Sequence, residues 1–169
     1  SYIVRNGLIP VFADVREGTY CIDENQIKSL ITKKTKAILA PNLLGNLVNW
    51  KKIFLFLKKK NILIIEDSAD TLGATHKGKS TGSYTDISIT SFYGSHIINC
   101  AGNGGMVCFN DSNNYLKAKL LRSWGRSSSL FQEIESIENR FNIYLDNIQY
   151  DAKFVFEKIG YQLEPTEIS

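Results

Sequence analysis

Two short stretches carry residues whose types and spacing could do chemistry together. The first is Ile62-Leu63-Ile64-Ile65, followed at once by Glu66-Asp67-Ser68-Ala69-Asp70. An apolar run of this length, rich in aliphatic and β-branched residues, reads as a strand buried on both faces. A carboxylate just past the C-terminal end of such a strand stands where open α/β sheets bind ligands. Asp67 could there keep a ring nitrogen protonated, or it could cap a helix or join a salt bridge. The second stretch is Ser91-Phe92-Tyr93-Gly94-Ser95-His96. It closes an alternating run, Asp86 to Phe92, that reads as another strand. A strand-end hydroxyl with turn amides makes a reasonable donor set for a phosphate. An ordinary strand-end serine looks the same. The imidazole of His96 could carry a proton at neutral pH, although a lone histidine also serves structural roles.

Other elements must position these groups. Pro10 to Val15 reads as a short strand. Asp23 is a plausible N-cap for a helix from about Glu24 to Ile31. Lys36 to Ala40 is a strand closed by Pro41-Asn42, and Leu43 to Asn46 is a loop. Asn49 caps a helix from Trp50 to Lys60, whose apolar set is Trp50, Ile53, Phe54, Phe56 and Leu57. With the Ile62–Ile65 strand this gives β, α, β, α, β with short links. Such alternation implies right-handed crossovers and a largely parallel sheet covered by helices. Thr75 to Tyr84 reads as a loop or hairpin. Asp86 to Phe92 and Met106 to Phe109 are further strands. Asn110-Asp111-Ser112 caps a helix to about Trp124. Residues 125–145 are polar and irregular, and Tyr150 to Ile159 reads as a short helix ending at Gly160. The Gly102-Asn103-Gly104-Gly105 string has the wrong spacing for a dinucleotide fingerprint, and it lets the backbone turn tightly beside the site.

The chain has 169 residues, within the range of one domain, with 43% hydrophobic and 22% charged residues, an ordinary globular balance. The net charge of +3 is too small to argue for nucleic acid. The lysines are scattered except for Lys58-Lys59-Lys60, which reads as a solvated helix end. Three cysteines, Cys21, Cys100 and Cys108, give an odd count with no C-x-x-C spacing and no histidine at ligand spacing. That argues against a disulfide framework or zinc site and for buried, reduced thiols in a cytoplasmic protein. No stretch approaches the length of a membrane span, and no signal peptide is visible. The chain opens on Ser1 without a methionine, which reads as a fragment.

The motifs, taken jointly, resemble those of the pyridoxal-phosphate-dependent nucleotide-sugar aminotransferases of the DegT/StrS family, fold type I. The matching strings are Glu66-Asp67-Ser68-Ala69-Asp70 with Leu72-Gly73, Ser91-Phe92 followed by His96, Leu44-Gly45-Asn46, the Gly104-Gly105 pair, Trp124-Gly125-Arg126 and Gly160-Tyr161-Gln162. The resemblance runs from about Gly7 to Glu167. It implies a mostly parallel mixed sheet covered by helices, with residues 1–169 forming the central part of the cofactor-binding large domain. About 1–124 would be the α/β core, and 125–169 an irregular segment leading into a later motif.

The resemblance also implies roles. Asp67 would bind the cofactor's ring nitrogen and Ser91 its phosphate. Asp70 stands where aminotransferases usually carry Gln near the ring's phenolic oxygen; a solvated acid is the bland alternative. Asn42 stands where they usually have His. Gln162 replaces an Asn that in the family reaches the phosphate of a neighbouring subunit, which points to a homodimer. His96 occupies the slot of the lysine that links covalently to the cofactor, a substitution that marks the branch dehydrating sugars at C3. The implied activity is dehydration of a nucleotide-linked 4-keto-6-deoxy sugar by pyridoxamine or pyridoxal phosphate, with glutamate as amino donor, for deoxysugar and surface-polysaccharide synthesis. Neither nucleic acid nor a membrane is an implied partner. A 4-keto-sugar aminotransferase and a non-catalytic paralogue are the alternatives. One dehydratase type follows the Trp-Gly-Arg string with cysteines that hold a [2Fe–2S] cluster. Here Ser127-Ser128-Ser129 follows and no Cys lies beyond Cys108, so no cluster is expected. His76 reads as a surface residue.

Overall fold

The computed structural model describes residues 2–96, 98–131 and 136–166. The chain divides into two compact units, Ser1–Asn110 and Asp111–Ser169. In the first, a four-stranded sheet has the order β1-β2-β5-β6, with β1 at Ala37–Pro41, β2 at Leu63–Asp67, β5 at Ile87–Ser91 and β6 at Gly105–Phe109. The pairs β1·β2 and β2·β5 are parallel and β5·β6 is antiparallel, so the sheet is mixed. A short hairpin, β3 (Thr75–His76) and β4 (Lys79–Ser80), intervenes between β2 and β5. Its central residues Lys77 and Gly78 both have positive φ, at 50° and 73°, as the tight two-residue turn requires.

Helix α3 (Trp50–Leu57) covers one face of this sheet. Asn49 starts it as the sequence indicates, its side chain accepting from the Lys52 amide at 3.1 Å. Trp50, Ile53 and Leu57 recur at helical spacing and pack with Cys21, Ile27, Ala40, Val48, Ile62 and Ile64 to form the core. The opposite face of the sheet is open. Leu39 is 53%, Leu63 41% and Val107 51% exposed. Two four-residue helices, α1 (Tyr2–Arg5) and α2 (Ile27–Leu30), precede β1.

The second unit contains α4 (Ser112–Arg122), capped by Asp111 accepting from the Asn114 amide at 2.8 Å. Helix α5 (Ile137–Arg140) follows, then a hairpin of β7 (Ile143–Leu145) and β8 (Ile148–Tyr150). Among the described residues no helix is long and apolar enough to cross a membrane. Nor does any group of three or more His, Cys, Asp or Glu stand close enough to hold a metal ion.

Several local expectations need correction. Pro10–Val15 is not a strand. Only Val15 pairs, in an isolated antiparallel bridge with Ile22, while Phe12 is 87% exposed. The segment has strand-like residues but no neighbouring strand to bond. The helix expected over Glu24–Ile31 shrinks to Ile27–Leu30: Asp23 caps a tighter turn before it, its carboxylate accepting from the Asn25 amide and its carbonyl from the Gln26 amide. Glu66 and Asp67 are the last residues of β2 rather than residues beyond it. The helix expected over Tyr150–Ile159 is a single 3-10 turn at Ala152–Phe154. Burial holds for Cys21 alone: Cys100 is half-buried, and Cys108, on the edge strand β6, is exposed.

Candidate functional site

Successive side chains in a strand alternate between faces, so Glu66 and Asp67 point to opposite sides of β2. Glu66 follows Ile64 toward the covered face and is fully buried. One oxygen accepts from Asn42 Nδ2 and Ser68 Oγ, each at 2.7 Å. The other accepts from the Gly82 amide at 2.8 Å and Thr85 Oγ1 at 3.2 Å. Asn42, 1% exposed, uses its side chain fully. Its Nδ2 also donates to Ser68 Oγ at 3.1 Å, and its Oδ1 accepts from the Val48 amide and Trp50 Nε1, both at 2.9 Å. Its own amide donates to the Asp67 carbonyl at 2.8 Å. This network ties together the end of β1, the end of β2 and the first turn of α3. It fixes the backbone on which Asp67 stands. Sequence reasoning noted Glu66 and Asn42 as motif positions but missed this role. Two polar residues at adjoining strand ends are the signal that could have found it.

Asp67 lies on the open face, half-buried. Its Oδ1 accepts from the Ala69 amide at 3.0 Å, and its Oδ2 has no partner among the described residues. In register Asp67 pairs with Ile89 on β5, and Ser91 lies two residues further along the same strand. Paired residues share a face and the side-chain period is two, so Asp67 and Ser91 stand on one face. Both are the last residues of adjacent parallel strands. Strand spacing and rise put their Cα atoms about 8 Å apart. The Ser91 hydroxyl oxygen accepts from the Tyr93 amide at 3.2 Å, which leaves its hydrogen to donate.

The loop after β5 begins at this same edge. It is closed at its base by the Phe92 amide donating to the Gly104 carbonyl at 2.8 Å and the Cys100 amide to the Phe92 carbonyl at 3.1 Å. His96 rides on this loop, its backbone amide bonded to the Tyr93 carbonyl at 2.9 Å. The imidazole is half-buried and has no hydrogen-bond partner among the described residues. Asp67 and Ser91 thus end at one edge of one sheet, and the chain that carries His96 leaves from that edge.

Asp70 and Gln162 stand differently. Asp70 is exposed and accepts from the Leu44 amide at 3.1 Å, steadying a residue held at φ 53° and ψ 37°. Gln162 is exposed in the second unit, where it makes an isolated antiparallel bridge with Ser123. His76 is exposed on its hairpin. The Trp124-Gly125-Arg126 and Gly160-Tyr161-Gln162 strings pack backbone to backbone. A Cβ on Gly125 would strike the Lys158 carbonyl, and one on Gly160 the Gly125 amide, so both positions need glycine.

Comparison with known proteins finds relatives over most of the chain. The family model for the DegT/DnrJ/EryC1/StrS aminotransferase family matches residues 1–152. A dTDP-4-dehydro-2,6-dideoxy-D-glucose 3-dehydratase from Saccharopolyspora spinosa is 34% identical over 168 residues, covering 98% of this chain and 36% of that protein. The structure of an E. coli GDP-4-keto-6-deoxy-D-mannose-3-dehydratase with bound hydrated PLP is 28% identical and superposes with a TM-score of 0.82, over 98% of this chain and 41% of that one. An aminotransferase from Psychrobacter cryohalolentis superposes with a TM-score of 0.80 at 31% identity, over 98% of this chain and 39% of that one. The chain therefore spans about two fifths of the length of these relatives. The match over most of its length assigns the chain to the DegT/DnrJ/EryC1/StrS aminotransferase family.

Proposed function

We propose that this chain is the cofactor-binding core of an enzyme that removes the C3 hydroxyl from a nucleotide-linked 4-keto-6-deoxy sugar with the help of pyridoxamine or pyridoxal phosphate. The residues present fit that cofactor. Asp67 has an open carboxylate oxygen for a protonated ring nitrogen, and Ser91, on the same face, has a free hydroxyl hydrogen for a phosphate oxygen. The observation that supports the reading most is His96: by motif resemblance it takes the lysine's slot in the sequence, and its imidazole has no partner among the described residues.

When bound, the cofactor supplies an amine that engages the sugar's 4-keto group and a ring that accepts an electron pair. Asp67 keeps the ring nitrogen protonated and so favours that acceptance. Ser91 anchors the phosphate. His96, which cannot tether the cofactor covalently, would take up a proton at its imidazole as general base and could pass it to the departing C3 oxygen, which would leave as water. Glutamate is the proposed amino donor, Gln162 the proposed contact to a second subunit in a homodimer, and the cytoplasm the proposed compartment. Asp70 is the weaker cofactor ligand, since its carboxylate already serves Leu44.

The test is incubation of the whole protein with pyridoxamine phosphate, glutamate and a panel of 4-keto-6-deoxy nucleotide sugars, with products read by mass. Loss of one water from the sugar is expected, and its absence in His96→Ala. Normal dehydration by His96→Ala contradicts the role given to His96. A second reading, transamination, is supported by the likeness to the Psychrobacter aminotransferase. It predicts an amino sugar in the same assay. Borohydride separates the two chemistries, because it locks a lysine-linked cofactor onto the protein and leaves a His96 enzyme unlabelled. A non-catalytic paralogue yields neither product.

A further inference from the structure

From Asn25 to Ile65 the chain carries nine lysines and no Asp, Glu or Arg. Most of these lysines are scattered along the sequence, and the fold gathers them. Helix α3 turns Trp50, Ile53 and Leu57 into the core. Its outward stripe is therefore Lys51, Lys52, Leu55, Lys58 and Lys59, at helical spacing and all exposed. Lys60 and, from α2, Lys28 extend the stripe at one end, their ammonium groups 5.1 and 5.6 Å from the centre of the Phe56 ring. The β3–β4 hairpin extends it at the other, where His76 and Lys77 line an open cleft with Lys51, Lys52 and Leu55.

The charge on this face is not answered within the fold. Among the described residues none of these lysines pairs with a carboxylate. Lys52 Nζ donates at 2.7 Å to Asn25 Oδ1, which is neutral. The carboxylates that flank the stretch are turned inward: Glu24, 6% exposed, accepts from the Asn49 amide at 3.0 Å and meets Arg16 at 3.8 Å, and Glu66 is fully buried. Concentrated like charge attracts a surface of the opposite sign. Three features choose among such surfaces. Arginine, the usual reader of nucleic-acid phosphates and of carboxylates at protein interfaces, is absent, whereas lysine is a hydrated point charge on a flexible stem that suits a fluid field of headgroups. The face is the outer side of a helix whose other side is locked into the core, so the helix lies flat along the surface. Leu55, 61% exposed, stands amid the lysines, and an apolar side chain ringed by cations matches the level where headgroups meet acyl chains.

We propose that the lysine face of α3 adsorbs to an anionic lipid bilayer, with the helix axis along the membrane plane and the ammonium groups among the phosphate headgroups. Adsorption of this kind needs no membrane-crossing helix. The inference does not depend on which reaction the site near Asp67 performs.

The whole protein is sedimented with vesicles of equimolar phosphatidylglycerol and phosphatidylcholine, and with vesicles of phosphatidylcholine alone. Retention by the anionic vesicles only is expected, falling as added salt shortens the screening length. Lys58→Gln with Lys59→Gln weakens it at least tenfold, because each lysine at an anionic surface contributes about a fivefold gain. Lys117→Gln with Lys158→Gln removes the same charge from the second unit and leaves retention unchanged. All four lysines are exposed, so both double variants keep the melting temperature of the unmutated protein. No retention by the anionic vesicles, equal retention by the neutral ones, or equal weakening in the two double variants overturns the proposal. Duplex DNA and polyglutamate are titrated alongside. Tighter binding to either than to the anionic vesicles gives the face a different partner and also overturns the proposal.

Discussion

Neighbouring carboxylates Glu66 and Asp67 face opposite sides of β2, and their surroundings dictate how substitutions at each will read out. Glu66 offers both oxygens to four donors in a fully buried setting. Glu66→Gln turns one of those oxygens into a donor aimed at donors. It should cost about 2–3 kcal/mol, the usual penalty for stranding buried polar groups, and lower the urea midpoint accordingly. Asp67 is half-exposed and receives a single hydrogen bond, from Ala69, which Asn can also accept. Asp67→Asn should therefore change stability by no more than about 0.5 kcal/mol, while weakening retention of pyridoxal phosphate in an equilibrium titration. An Asp67→Asn variant as destabilised as Glu66→Gln would recast Asp67 as a structural residue. The strand-end position of Asp67 was legible from the apolar run before it. The support beneath it was not, because the bonds from Asn42 to Glu66 span 24 residues of chain and follow from strand pairing.

At the scale of elements, those that form from local signals were the readable ones. Helix α3 has its own cap and its own apolar stripe, and β1, β2, β5 and β6 have apolar or alternating patterns within a residue or two of their observed ends. Pro10–Val15 carries the same kind of residues without a partner strand, and pattern alone cannot supply one. The β7–β8 hairpin was missed although Asp146-Asn147 is a recognisable turn pair; both residues have positive φ, at 49° and 62°. This hairpin is tied to α5 by Arg140, whose Nε donates to Asp151 Oδ1 at 3.1 Å and whose terminal nitrogen pairs with the other oxygen. The Arg140 guanidinium holds the Asp151 carboxyl below its ordinary value of 3.8. A carboxyl depressed on folding adds stability at pH values above its ordinary one, and that stability drains away as pH falls through the folded value. Amide exchange in 143–150, corrected for intrinsic rate, should thus stay slow from neutrality to near 3.8 and quicken below it. Asp151→Asn should quicken it at neutral pH and flatten the acid dependence. An unchanged acid dependence in Asp151→Asn would remove this ion pair as its cause.

For the molecule as a whole, the open side of the sheet in the first unit is the feature with the widest consequence. By register, Leu39, Ile65, Ile87 and Phe109 form one row across four strands, with Ala37 and Leu63 on one side of it and Asp67, Ile89 and Val107 on the other. Asp67 and Ser91 are the polar side chains on this face, and both stand at its C-terminal edge. A carboxylate bordered by aliphatic side chains is well placed to attract a protonated ring, because the attraction is screened less beside apolar surface than in open water. The same aliphatic surface has a second effect. Leu39, Leu63 and Val107 are each 41–53% exposed, and contiguous apolar patches of a few hundred Å² or more, by order of magnitude, drive association. The 169-residue chain should therefore self-associate as its concentration rises, seen as growing sedimentation coefficients and as binding of a hydrophobic dye. Leu39→Lys and Leu63→Lys, placed at exposed positions, should suppress both signals and shift stability by no more than about 0.5 kcal/mol. If either substitution instead lowers the unfolding midpoint by several kcal/mol, as a lysine forced into a packed interface does, then this face is covered in solution. The strand end that carries Asp67 would then face a wall that the sheet alone does not supply.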